Sequence, residues 1–188
     1  MDTPTPAHSP DPRPTIREHL IAAAGELLAM YDSRFTYASS HESQPDATEG
    51  EFVIANIGYT GRAIRGSLVM FMSAAAAAKL SEETTGDTSP EGLCDTAAEL
   101  SNMLLGRLKN RLLAHGVVLA LATPTTAIGT RVRVYAAPGE TASWHRFAGD
   151  GRVIDVRNDM VIEPEFVMGA APAPRPEGSV SEGDMVLF

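Results

Sequence analysis

From Thr15 to about Tyr31, apolar residues recur at three- and four-residue spacing. Ile16, Leu20, Ile21, Ala24, Leu27 and Leu28 form one stripe, which predicts a helix buried along one side. Pro14 stands where a first helical turn accepts proline, because that position needs no N–H partner. The stretch Asp32 to Gly50 is polar and broken, with a short strand expected over Arg34 to Ala38. EFVIANIGYTGRAIRGSLVMFM, residues 51–72, then gives two β-rich runs, Phe52–Ile57 and Ala63–Met72, separated by glycines that permit a hairpin turn. Ser73 is placed to cap an alanine-rich helix that Gly86 can end. Ser89 and Pro90 open the longest helix, expected to run to His115 with Gly116 as its stop.

Beyond that helix, Val117–Ala122 is a continuous apolar run like a buried strand, and Thr130–Tyr135 alternates like a half-exposed one. WHRFAGDGRVIDV carries a second hairpin signal at Gly149, Asp150 and Gly151. These local pairings predict an α/β fold of the α+β kind: one domain over residues 14–167, with long helices on a mostly antiparallel sheet. The proline-rich residues 1–13 read as a disordered leader, and the Ala/Pro/Gly-rich residues 168–188 as a flexible tail. The last residues, DMVLF, could serve as a docking peptide, but a frayed end is the plainer reading.

Composition narrows the function classes. A net charge of −9, from 15 basic and 24 acidic side chains with no long block of either sign, argues against nucleic-acid binding. The start lacks a secretory signal, and Leu68–Ala78 is far shorter than the roughly 20 apolar residues a membrane span needs. A cytoplasmic protein without membrane contact is expected. The single Cys94 leaves no internal disulfide and reads as a small buried hydrophobe. The five histidines, His8, His19, His41, His115 and His145, show no metal-ligand spacing; His115 suits a helix C-terminus, where a partly positive ring favours the dipole. Gly61–Ser67, GRAIRGS, has P-loop-like glycines but lacks the lysine and runs into a strand, so it reads as a turn. No nucleophile elbow occurs.

The longest helix carries the candidate chemistry. A rotation of about 100° per residue puts Asp95, Glu99, Asn102 and Gly106 on one line, opposite an apolar stripe of Leu93, Ala97, Leu100, Leu104 and Leu108. Gly106 costs about 1 kcal/mol in mid-helix unless something approaches the backbone closely, and asparagine is a mediocre helix former. Such local conflicts mark functional positions. A carboxamide can hold a water by donating and accepting at once, and a carboxylate can pair with a partner's cation. Taken alone, however, Glu-x-x-Asn also fits a merely solvated face.

The spacing Asp95, Glu99, Asn102 and then, after 21 residues, Pro124 resembles the signature of the CheX/CheC/FliY phosphatases of bacterial chemotaxis. AAELSNMLLGRLKNRL is similar to their catalytic helix, VVLALATPTTAIG to the following strand and proline loop, and YTGRAIRGSLVMFMS to their glycine hairpin. The likeness spans roughly residues 14–157. It implies a domain that dephosphorylates the aspartyl phosphate of a CheY-like response regulator without a phosphoenzyme. Asn102 would orient the attacking water and Glu99 would pair with the receiver's lysine, while Asp95, Gly106 and Pro124 would belong to the partner-binding surface. The receiver would supply Mg²⁺, so no cofactor of the chain's own is expected. On the first helix, Glu26 is followed at the third position by Ala29, so the second site of the CheC branch is missing. One site resembles CheX, whose members form homodimers. The alternative is a CheX-like module that docks a receiver or signalling partner without catalysis.

Overall fold

The computed structural model describes residues 11–42, 44, 50–135 and 141–170. Among these residues, three helices, α1 (Arg13–Tyr31), α2 (Ala74–Thr84) and α3 (Pro90–Leu113), accompany seven strands: β1 (Thr36–His41), β2 (Glu51–Gly61), β3 (Ile64–Ser73), β4 (Leu119–Leu121), β5 (Thr125–Thr130), β6 (Thr141–Gly149) and β7 (Arg152–Ile162). The strands form one sheet in the order β1-β6-β7-β3-β2, and β4 and β5 share the outer edge of β2. Every pairing is antiparallel, as the hairpin signals predict.

The helices lie on one face of this sheet. Val53, Ala55 and Ile57 of β2, Leu68, Met70 and Met72 of β3, and Ile154 and Val156 of β7 alternate inward against Leu20, Leu27, Leu80, Leu100, Leu104 and Leu108 of the helices. Period two on the strands thus meets period 3.6 on the helices. On the other face, Ile54, Val69, Phe71 and Trp144 form a second buried cluster, partly roofed by Val132 and Val134. Gln44 holds that roof in place, donating to the Val132 carbonyl and accepting from the Val134 N–H, both at 2.9 Å.

Several local expectations change. Thr130–Tyr135 is not a strand: β5 stops at Thr130, and Arg131 has a positive φ of 55°. Residues 131–135 instead form the roof over the second cluster, which explains their alternating pattern. Val117–Ala122 contributes only the three residues of β4, at a sheet edge, with Val118 65% exposed. Ala122, Thr123 and Pro124 then separate β4 from β5, and proline suits that gap because it cannot donate to the ladder of β2. In the β2–β3 turn, Ala63 rather than a glycine takes the positive φ, at 61°. Gly61 and Gly66 matter for close approach: a Cβ on Gly61 would lie 2.5 Å from the Val118 carbonyl oxygen, and one on Gly66 2.1 Å from that of Asp159. The β6–β7 turn follows its signal, with positive φ at Asp150 and Gly151 as a tight hairpin requires.

Cys94 is half-buried rather than buried. His115 is not a free ring beside a helix dipole but a buried linker: its Nδ1 donates to the Gly169 carbonyl at 2.9 Å, and its Nε2 lies 2.8 Å from Nε2 of His19. After β7, Phe166 and Met168 pack on the core, and the Gly169 N–H donates to the His115 carbonyl. Most of the expected leader and tail, DMVLF included, lies outside the described residues. Among the described residues, no helix is long and apolar enough to cross a membrane.

Candidate functional site

The candidate site is built on α3. The Ser89 side chain caps the helix by accepting from Gly92 N–H at 3.1 Å, and the Asp87 carboxylate accepts from the Ser89 N–H at 2.9 Å. Gly92 is obligatory here, since a Cβ would stand 2.4 Å from the Asp87 carbonyl oxygen. A buried hydroxyl relay ties this start to the end of α2. Thr96 Oγ1 donates to Ser81 Oγ at 2.9 Å, and Ser81 donates onward to the Asp87 carbonyl. The apolar stripe of Leu93, Ala97, Leu100, Leu104 and Leu108 is buried as expected, which fixes the rotation of the helix about its axis.

That rotation turns the polar line outward. Asp95 and Glu99 are exposed, and Asn102 and Gly106 are half-buried. Asp95, Glu99 and Asn102 make no side-chain hydrogen bond or ion pair among the described residues. Their polar groups are therefore free to meet a ligand. All three line a cavity of about 370 Å³, whose remaining wall comes from Thr96, Ala98 and Leu100 of the same helix, Thr84 and Thr85 at the end of α2, and Tyr31 at the end of α1. Gly106 and Pro124 do not line it. Gly106 lies one turn beyond Asn102 with open space where a Cβ would go, and Pro124 sits half-buried between β4 and β5.

Tyr31 was beyond sequence reasoning, because its approach to α3 depends on how the two helices cross. The structure also shows what α1 does with Glu26: its carboxylate accepts from Arg111 of α3 at 2.6 Å, which lowers its pKa. Glu26 is thus an inter-helix strut. A second hollow, of about 500 Å³, is formed by β2, β3 and β4. Its one charged side chain, Arg65, is paired with Glu163 at 2.7 Å, and it offers no nucleophile or base beyond hydroxyls. Among the described residues, no group of three or more His, Cys, Asp or Glu side chains is placed to hold a metal ion.

The cavity can therefore orient and dock rather than transfer protons. Among the described residues its wall presents two carboxylates, one carboxamide and four hydroxyls, with no imidazole or thiol. Comparison with known proteins agrees with the architecture. The fold matches a chemotactic CheC-like protein of Shewanella oneidensis with a TM-score of 0.71 at 18% identity, covering 79% of this chain and 99% of that one. It matches chemotaxis protein CheX of Vibrio vulnificus with a TM-score of 0.69 at 18% identity, over 78% and 99% of the two chains. A CheX-CheY-BeF3-Mg²⁺ complex from Borrelia burgdorferi matches with a TM-score of 0.64 at 20% identity, over 78% and 97%. No curated protein sequence matches the chain. The family model described as chemotaxis phosphatase CheX matches residues 53–147, a span that includes most of β2, all of β3, α2 and α3, and Pro124. The chain belongs to the CheX family.

Proposed function

We propose that this protein is a cytoplasmic phosphatase that removes the phosphoryl group from the aspartate of a CheY-like response regulator. The observation that carries this reading is the free, outward-facing Glu99 and Asn102 beside a cavity on a helix whose other face is locked into the core. In the reaction, a water oxygen bonds to phosphorus as the bond to the aspartyl oxygen breaks, leaving free carboxylate and inorganic phosphate. Asn102 orients that water, with its amide oxygen accepting from it and its amide N–H groups donating towards the phosphoryl oxygens. Glu99 anchors the receiver by pairing with its lysine. The receiver supplies Mg²⁺, which offsets the charge on the transferring group. In the structural neighbour from Borrelia burgdorferi, CheX and CheY occur together with BeF3 and Mg²⁺, which supports this division of labour. Asp95, Gly106 and Pro124 complete the docking surface.

One catalytic site per chain follows from α1, where Ala29 offers no carboxamide and Glu26 is engaged by Arg111. Such a one-site protein acts as a homodimer, as expected for CheX.

The test mixes the full chain with a phosphorylated CheY-type receiver and Mg²⁺ and follows phosphate release. Asn102→Ala should slow the catalysed step by about 100-fold through loss of water positioning, with receiver binding retained. Turnover at the parental rate would overturn the mechanism. Glu99 is also suited to docking alone, and receiver binding that needs Glu99 without faster phosphate loss would select the non-catalytic docking module.

A further inference from the structure

The cavity beside Asn102 is closed by a residue from a different helix, and the surroundings of that residue are unusual. Tyr31 is the last residue of α1, and its ring lines the cavity opposite α3. The backbone just after it is firmly held. The Asp32 carboxylate accepts from Arg34 Nε and Nη2, each at 2.8 Å, and from Arg152 of β7 at 3.0 Å. The Asp32 N–H closes the helix on the Leu28 carbonyl at 2.9 Å. The Tyr31 hydroxyl, in contrast, has a poor partner: it donates to Met103 Sδ at 3.4 Å, and a thioether is a weak acceptor. Of the other wall hydroxyls, Thr84 donates to the Leu80 carbonyl and Thr96 to Ser81 Oγ, each at 2.9 Å, whereas Thr85 has only a long 3.4 Å contact with the Ser81 carbonyl. Tyr31 therefore holds a cavity O–H donor that can turn to a better acceptor at little cost, and unlike Thr85 it comes from α1. It does so from a helix end fixed to the sheet.

We infer that Tyr31 is a specificity-determining residue of this site, whose hydroxyl leaves Met103 to donate to an acceptor oxygen of the docked receiver beside its phosphoaspartate. The inference rests on the proposed phosphatase reading and extends the docking surface from α3 to α1. Tyr31→Phe keeps the ring and its packing, so fold and chemistry at Asn102 are preserved. With a CheY-type receiver, Tyr31→Phe should raise KM about 3- to 10-fold, the worth of one hydrogen bond, while kcat stays within about twofold. Met103→Leu removes the resting partner and should leave KM unchanged. If instead the hydroxyl only braces Met103, both substitutions would act alike, and the inference would be wrong. Titration of the full chain with the receiver loaded with BeF3 and Mg²⁺ gives the same comparison without turnover. A parent that fails to bind the loaded receiver overturns the phosphatase reading and this inference with it. A parent that binds, with an equally tight Tyr31→Phe variant, overturns the role of Tyr31 alone.

Discussion

Gly106 separates stability from docking more cleanly than any charged residue of the site. It lies in the helical interior of α3, and a Cβ there would meet nothing within 4 Å. Gly106→Ala should therefore raise stability by about 1 kcal/mol, read as a higher urea midpoint with an unchanged m-value. If the open space admits the receiver's backbone, the same methyl group should raise KM several-fold. A gain in stability with unchanged KM would remove Gly106 from the docking surface. Gly66 should respond in the opposite way, because its Cβ would collide with the Asp159 carbonyl oxygen and with the Tyr59 ring and hydroxyl. Gly66→Ala should cost about 3 kcal/mol by urea denaturation, and a parental midpoint would show that β3 and β7 can part at no cost. Both glycines break a local rule in the sequence. Only the three-dimensional neighbours show which one makes room for its own sheet and which faces open space.

At the level of elements, the long helices and both hairpins are legible because local signals agree. The Ser73 and Ser89 caps, the period-3.6 stripe of α3 and the Asp150-Gly151 turn each match the structure. The edge of the sheet is not legible, because an apolar run reports burial without saying what buries it. Residues 117–122 have the pattern of a full strand, yet β4 is cut short before Pro124, and the alternation of 130–135 belongs to a roof over Trp144 and Phe71. The polar line of α3 was readable from the sequence, but the cavity beside it was not, since Tyr31, Thr84 and Thr85 arrive from other helices. The α2–α3 junction that places Thr84 and Thr85 depends on Ser81, which is 0% exposed and joins Thr96 to the Asp87 carbonyl. Ser81→Ala leaves both of those groups without this partner and should cost about 2 kcal/mol in thermal or urea unfolding. A loss below a few tenths would mean that the relay is not what fixes the two helix ends.

At the scale of the whole molecule, histidines that the sequence shows only as scattered residues join separate elements. His145 of β6 is fully buried, within 2.8 Å of Ser40 Oγ and 3.1 Å of Ser143 Oγ, and burial together with the charge of Arg17 lowers its pKa to about 4. Between α1 and the end of α3, the Gly169 carbonyl can only accept, so His115 donates to it from Nδ1, and its Nε2 shares one hydrogen bond with Nε2 of His19. The resulting pair cannot hold protons on all four ring nitrogens without breaking. Burial, then His115 and Arg111, lower the His19 pKa, against a smaller opposing effect of Glu18. A depressed imidazole pKa means that the unfolded chain binds more protons than the folded one, so stability rises with pH in that interval. It should be constant above the unfolded pKa near 6.5 and fall as the pH drops, with His145 alone contributing a loss of about 3 kcal/mol by pH 4. The paired carboxylate of Asp32, held below the usual carboxylate range by its hydrogen bonds to Arg34, stays ionised through that window and adds no slope there. Urea unfolding of the parent at pH 7.5, 6 and 5 should therefore show a steady decline, and His145→Gln should flatten it, whatever its effect on absolute stability at pH 7.5. An unchanged slope in that variant, together with a flat profile in the parent, would mean that the imidazole is not held neutral between α1 and the sheet.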